Sequence, residues 1–269
     1  MGDRVVWVSG ASSGLGRAAA VALKQSGWRV IAGARSFTGE EAESEYGQAL
    51  PLDVRDDASV RAFCDQALSL AGPPDALVNA AAILTLGPAE EMPLDELQAV
   101  MDTVLMGALR LTRAALPKMR QKGGGKIVMF SSLNGLMPTP FQGAYVSAKH
   151  ALEGFSECLM LETRGQGIQV MLVEPGDHAG GSQRCRGKTK WVSPLYHHTL
   201  ERVSGIIAKD EAQGQDPDRF GRRLARVMGR KRLPVRLRAA TLKESFALIM
   251  HDVLPGRLFL RFLAGYYKV

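Results

Sequence analysis

Cysteine is scarce in this chain of 269 residues, and the three present, Cys64, Cys158 and Cys185, stand far apart without forming a C-x-x-C pair. That argues against a zinc knuckle and a disulfide framework, so no metal is expected and a reducing compartment fits best. Aromatic residues make up only 6%. Long apolar runs are missing as well. The first, Val5 to Val8, is four residues long and begins almost at the initiator Met, too short for a signal-peptide core or a membrane span, which makes the cytoplasm the expected location. Acidic residues are absent from 219 to 238, where nine Lys and Arg fall.

What is present is an ordinary globular composition, 46% hydrophobic and 23% charged, too apolar for a disordered chain and of a length that one core can organise. The expectation is a single domain over 1–269. Net charge is +7, but fifteen Lys and Arg against five acids are packed into residues 184 to 238, so the basic excess is local. Such a stretch could attract a nucleic acid, an anionic membrane surface or an acidic substrate. The plainer reading, a solvated helix face, is preferred, and no nucleic-acid partner is expected.

Short apolar, β-branched runs alternate with stretches of helical periodicity, the pattern of a parallel sheet covered on both faces. Strands are predicted at Arg4 to Ser9, Arg29 to Ala34, Gln48 to Leu52, Asp75 to Asn79, Lys126 to Ser131 and Gln169 to Glu174, with a further short run at Leu233 to Leu237. Helices are predicted from Gly14 to Ser26, closed by Gly27, then after an Asp57 cap, and around Leu94 to Arg120 and Gly143 to Arg164. The fold class is therefore α/β: a single-domain, Rossmann-like, doubly wound parallel sheet of six or seven strands with helices on both faces. Ligands of such folds bind at the carboxyl ends of the strands.

Directly after the first predicted strand comes Ser9-Gly10-Ala11-Ser12-Ser13-Gly14-Leu15-Gly16, and then a helix. Gly10, Gly14 and Gly16 permit a tight turn, while Ser12, Ser13 and Leu15 bring backbone and hydroxyl donors to a helix N-terminus suited to a pyrophosphate. The same letters also read as G-x-S-x-G, the nucleophile elbow of a serine hydrolase with Ser12 as nucleophile. That alternative leaves Gly16 unused. At the end of the second strand, where many dinucleotide sites place an acid for the ribose, the chain has Gly33-Ala34-Arg35-Ser36. An arginine there suits the 2′-phosphate of NADP, and NAD is less favoured.

Tyr145 and Lys149 lie four apart on a predicted helix, so their side chains share a face and an ammonium stands near a phenol. A neighbouring positive charge favours phenolate, which suits Tyr145 to proton transfer. Ser132 follows the fifth predicted strand and completes the set.

Together the glycine loop, Asp53-Val54, Asn79, Ser132, Tyr145 with Lys149, and Glu174-Pro175-Gly176 resemble the short-chain dehydrogenase/reductase family over roughly residues 3 to 180. The resemblance implies Tyr145 as acid/base, Lys149 lowering its pKa and holding the nicotinamide ribose, and Ser132 orienting substrate. It also implies Asp53 and Val54 at the adenine, Asn79, Ala80 and Ala81 along the adenosine, and Pro175 and Gly176 beside the nicotinamide. A homodimer or tetramer through the helices bearing Gly107 and Tyr145 is implied too.

Three positions depart from the family pattern. Ala82 stands where a glycine is usual, Val104 where an asparagine relays protons, and Gly180 where a threonine meets the nicotinamide amide. These keep open a second alternative, a non-enzymatic NADP-binding regulator. His178, a lone loop histidine, is expected to be solvated. Residues 177–238 are read as the variable, substrate-binding segment. The tail from Val253 to Leu263 resembles the endings of 17β-hydroxysteroid-dehydrogenase-like and retinol-dehydrogenase-like members, which implies a lipophilic carbonyl or alcohol substrate. In that tail Leu258, Phe259, Phe262 and Leu263 share a helical face expected to pack on the core, with weak membrane-surface contact as the alternative.

Overall fold

The computed structural model describes residues 4–38, 44–180 and 186–269. Its strands, in chain order, are β1 (Arg4–Ser9), β2 (Trp28–Ala34), β3 (Gln48–Pro51), β4 (Ala76–Asn79), β5 (Leu84–Leu86), β6 (Gly125–Phe130), β7 (Ile168–Pro175), β8 (Arg186–Lys188) and β9 (Arg236–Ala239). The helices are α1 (Gly14–Gln25), α2 (Asp57–Ala71), α3 (Leu94–Met101), α4 (Gly107–Gln121), α5 (Gly143–Glu162), α6 (Pro194–Ala212), α7 (Pro217–Met228), α8 (Leu242–Val253) and α9 (Gly256–Tyr267).

Along β1, Val6 and Val8 point to one side and Val5 and Trp7 to the other, and all four are buried. A strand covered on both faces has no polar side, which is why this run is continuously apolar. Seven strands make one parallel sheet in the order β3-β2-β1-β4-β6-β7-β9, a doubly wound α/β domain whose order reverses between β1 and β4. Helices α1 and α7 cover one face through Leu23, Phe220 and Leu224, and α2, α4 and α5 cover the other through Phe63, Leu111 and Leu152. Strands β5 and β8 pair separately as a small parallel ribbon.

Several boundaries differ from those read in the sequence. Asp56, not Asp57, caps α2 by accepting a hydrogen bond from the Ala58 N–H at 2.9 Å, while Asp57 pairs with Arg110. The predicted continuous helix from Leu94 to Arg120 is interrupted at Asp102–Met106 by a π turn, whose wider winding turns Thr103 and Val104 inward. The last strand begins at Arg236 rather than Leu233, because Leu233 packs on the core beside the sheet edge. The ribbon of β5 and β8 had no signal in the sequence, since three-residue strands carry no period. Gly27 closes α1 with φ +80, as its position predicts.

The basic run also finds its place. Phe220, Leu224, Val227 and Met228 of α7 face the core, while Arg219, Arg222, Arg223 and Arg226 are exposed: a solvated helix face over an apolar one. Arg184 and Cys185 lie outside the described residues. Arg236 turns inward instead and binds three carboxylates, those of Glu153, Glu157 and the fully buried Glu174, with Arg238 adding a second contact to Glu174 at 2.9 Å. Removing one partner of a buried ion pair strands the other without water. The Arg236→Met substitution is therefore expected to lower stability by roughly 3 kcal/mol in urea unfolding; a loss below about 1 kcal/mol would mean that Arg238 alone satisfies Glu174.

Candidate functional site

At the end of β1 the chain turns sharply, because Gly10 takes φ +68 in the left-handed region. A Cβ on Gly10 would stand 2.7 Å from the Cα and N of Ala81, so only glycine lets the two backbones meet here. The buried hydroxyl of Ser9 fastens the approach, accepting from the Ala80 and Ala81 N–H groups at 3.2 and 3.4 Å. Helix α1 then starts at Gly14. Ser13, its N-cap, makes no side-chain cap bond and no acid stands in the first turn, so the positive end of the helix is left to an anion. These features suit the pyrophosphate of a dinucleotide.

A crevice of about 630 Å³ runs from this loop across the carboxyl ends of the strands. Gly10, Ser12, Ser13, Gly14, Leu15, Gly16, Arg35, Asp53, Val54, Ala80, Ala81, Ser132, Tyr145, Lys149, Pro175 and Gly176 all line it. Asn79 does not. Its side chain is buried behind the wall, donating to Thr112 Oγ1 at 3.1 Å and Met129 Sδ at 3.3 Å, and it ties β4 to α4 and β6 instead of facing a ligand. At the far end Arg35 and Ser36 follow β2. Arg55 binds the Asp53 carboxylate at 2.6 Å and is the chief reason that this carboxyl is held below its usual value, with Arg35 contributing. Arg17 is engaged with Glu45 at 2.6 Å, whereas Arg35 lines the crevice beside Ser36.

The middle of the crevice holds Ser132, Tyr145 and Lys149. Strand β6 stops at Phe130, and Ser132 caps the single 3₁₀ turn that follows, accepting from the Asn134 N–H at 3.2 Å. On α5 the Lys149 ammonium stands 5.4 Å from the centre of the Tyr145 ring and donates to the Phe130 carbonyl. It is 2% exposed. Burial brings its pKa down to about 7, against the pull of Glu153 one turn further on. Behind Tyr145, Val104 packs with Ala144 and Ala148, so the position that departs from the family pattern is a dry apolar wall. Ser12 donates no hydrogen bond to a histidine among the described residues, so the hydrolase arrangement is not assembled.

Sequence reading put Ile207 of α6 in the substrate-binding segment but missed the rest of the outer wall. Phe246 and Ala247 of α8, and Phe262, Leu263, Tyr266 and Tyr267 of α9 close the crevice, although they lie 100 or more residues beyond Tyr145. Asn134 and Gln142, joined at 2.5 Å, add a polar rim. Asp210 is held by Lys243 at 3.1 Å and Tyr266 at 2.5 Å, while burial and the Glu244 charge push Asp177 up to about 7. His178 is buried, not solvated: its Nδ1 meets the Gly176 carbonyl at 2.9 Å, its ring lies edge-on to Phe220, and desolvation lowers its pKa. Gly180 adopts φ +74, a conformation that favours glycine over the threonine of the family pattern.

The family described as short chain dehydrogenase matches residues 4–189. The chain is 31% identical to a 3-ketodihydrosphingosine reductase of Bacteroides thetaiotaomicron over 100% of both proteins. It is 40% identical over 185 residues to the Homo sapiens retinol dehydrogenase 8, covering 64% of this chain and 58% of that one. Among solved structures, a short-chain dehydrogenase from Streptomyces avermitilis superposes with a TM-score of 0.82 at 29% identity, over 99% of this chain and 96% of that one.

The lowered pKa of Lys149 has a measurable consequence. Between about 7 and its usual 10.5 the unfolded chain binds this proton and the folded one does not, so stability rises with pH across that window and the gain is absent below it. The slope expected from one such group is roughly 1.4 kcal/mol per pH unit. In the Lys149→Met variant that slope should vanish from urea-unfolding free energies measured at a series of pH values; equal slopes in the two proteins would place the proton elsewhere.

Proposed function

The chain belongs to the short chain dehydrogenase family, and on that footing we propose that it interconverts a lipophilic ketone and its secondary alcohol with NADP(H), using Tyr145 as the general acid and base. The observation that carries the reading is the lining of one crevice: the glycine loop and Arg35 at one end, Ser132, Tyr145 and Lys149 in the middle, and apolar side chains of α6, α8 and α9 at the other.

Bound along the glycine loop, the reduced nicotinamide would supply a hydride to the carbonyl carbon. The protein's own part is orientation and proton handling. In reduction the Tyr145 hydroxyl gives its proton to the carbonyl oxygen, while the Ser132 hydroxyl donates a second hydrogen bond as negative charge develops there. Lys149, when charged, steadies the phenolate that remains. In the alcohol-to-ketone direction the same phenolate takes the proton back. Val104 closes the route through the helix behind Tyr145, so we place the proton's path to solvent along the crevice, past Lys149.

Arg35 supports NADP over NAD, since a guanidinium pairs with a 2′-phosphate by charge-assisted bonds and the five residues that directly follow β2, Arg35 to Gly39, include no carboxylate to repel it. The apolar wall of Ile83, Leu84, Met137, Ile207, Phe246 and Phe262 supports a greasy substrate. The names of the two relatives, a ketodihydrosphingosine reductase and a retinol dehydrogenase, agree with that class. Residues 177–238, with the crevice-lining Phe246 and Ala247 of α8 and Phe262 and Leu263 of α9, form the substrate side in this reading, and a homodimer or tetramer in the cytoplasm is its setting.

Two measurements test it. In a titration following nicotinamide fluorescence, NADPH should bind about 10–100-fold more tightly than NADH, and Arg35→Ala should erase the difference; equal affinities in the wild type contradict the cofactor choice. Against a panel of long-chain ketones, Tyr145→Phe should lose roughly 100–10,000-fold in kcat while retaining NADPH affinity. A variant as fast as wild type would remove Tyr145 from the chemistry.

A further inference from the structure

Helix α8 carries an apolar stripe that faces away from the protein. Leu242, Phe246, Ile249 and Val253 recur at i, i+4, i+7 and i+11, and they are 92, 56, 60 and 75% exposed, while Leu248 on the opposite side is buried. Helix α9 extends the surface. Phe259 and Leu263 face inward, but Leu258 and Phe262, one turn apart, are exposed beside Arg257 and Arg261. The expected core-facing row of four is thus split, two residues packing and two not. Scattered apolar residues are normal on a surface, but four at helical spacing on α8, with Phe262 of α9 lining the same crevice as Phe246, mark a binding surface.

Two further observations say what covers it. Phe246 and Phe262 belong to the exposed face and also line the crevice, so the patch is the rim of the crevice mouth. The unpaired charge beside it is basic. Arg257, Arg261 and Lys268 are exposed and their side chains form no ion pair among the described residues, whereas Glu244 is held by Thr241 and the Asp177 N–H, and the exposed Asp252 lies 3.1 Å from His251. An apolar stripe flanked by unpaired arginines matches the boundary between acyl chains and anionic headgroups. Two copies meeting through the same face would instead crowd like charges together. No described helix is long and apolar enough to cross a membrane, so the contact lies along the surface.

We propose that α8 and α9 dock on an anionic phospholipid bilayer and open the crevice toward the lipid, so that a lipophilic ketone enters from the membrane. The route of entry rests on the function proposed above; the docking does not.

The test is flotation of the full-length protein with vesicles of phosphatidylcholine mixed with phosphatidylglycerol, against vesicles of phosphatidylcholine alone. The wild type should float with the anionic vesicles and be released by salt. Binding should fall about tenfold or more in the Leu242→Ser/Ile249→Ser/Val253→Ser triple variant and in the Arg257→Gln/Arg261→Gln double variant. All five positions are exposed, and circular dichroism should report the wild-type fold in both proteins. Wild type that stays with the soluble fraction overturns docking, as does binding that neither variant weakens. A dimer in sedimentation that the triple variant splits, without vesicle binding, assigns the face to a second copy and overturns it too. Reduction of a short, water-soluble ketone, measured without vesicles, should be equal in wild type and both variants; if all three are inactive there, the proposed reaction fails while the flotation result still decides the docking.

Discussion

The crevice exists because two backbones approach at Gly10 more closely than any side chain would allow. The left-handed glycine turns the chain off β1, Ser9 clamps the Ala80–Ala81 backbone against the turn, and α1 begins at once with its first turn uncapped by a side chain. Because β1 and β4 are also the strands between which the sheet reverses its winding, their following loops diverge and leave a cleft. A methyl group at Gly10 would separate these loops, and with them the anion site and the floor of the crevice.

The side of the crevice that holds Tyr145 depends on a second constraint, the burial of a cation. Lys149 lies between the end of β6 and the ring of Tyr145, where water cannot solvate its ammonium, and its charge depends on the Phe130 carbonyl and on Glu153 one turn below. Glu153 in turn is gripped by Arg236 from the last strand, together with Glu174. The environment of Tyr145 is therefore set partly by β9, at the opposite end of the chain sequence. A network of this kind is costly to assemble and costly to break, which makes it a positional device more than a source of stability.

The parts legible in the sequence were those encoded locally. Val5 to Val8, the Gly10–Gly16 loop and the Tyr145–Lys149 pair each carry their pattern within one turn or one strand, and the structure puts the first in a strand and the other two in the lining of one crevice. What could not be read was set by distant packing. Asn79 looked like a cofactor contact, but Thr112 and Met129 hold its side chain inside. His178 looked solvated because nothing near it in sequence announces that Phe220 will cover its ring. The π turn at Asp102–Met106 has no composition signal, and the outer wall from α8 and α9 is recognisable only once those helices are folded over the strand ends.

The central claim is that hydride and proton meet on one carbonyl within this crevice, and isotope transfer tests it most directly. Wild-type protein would be incubated with a long-chain ketone and NADPH deuterated at one or the other C4 position, and the alcohol product analysed by mass spectrometry. The account predicts one deuterium on the carbinol carbon from one C4 position and none from the other, as a fixed orientation in the cleft requires. Product lacking deuterium from both, or no alcohol formed over the whole ketone series, would contradict it.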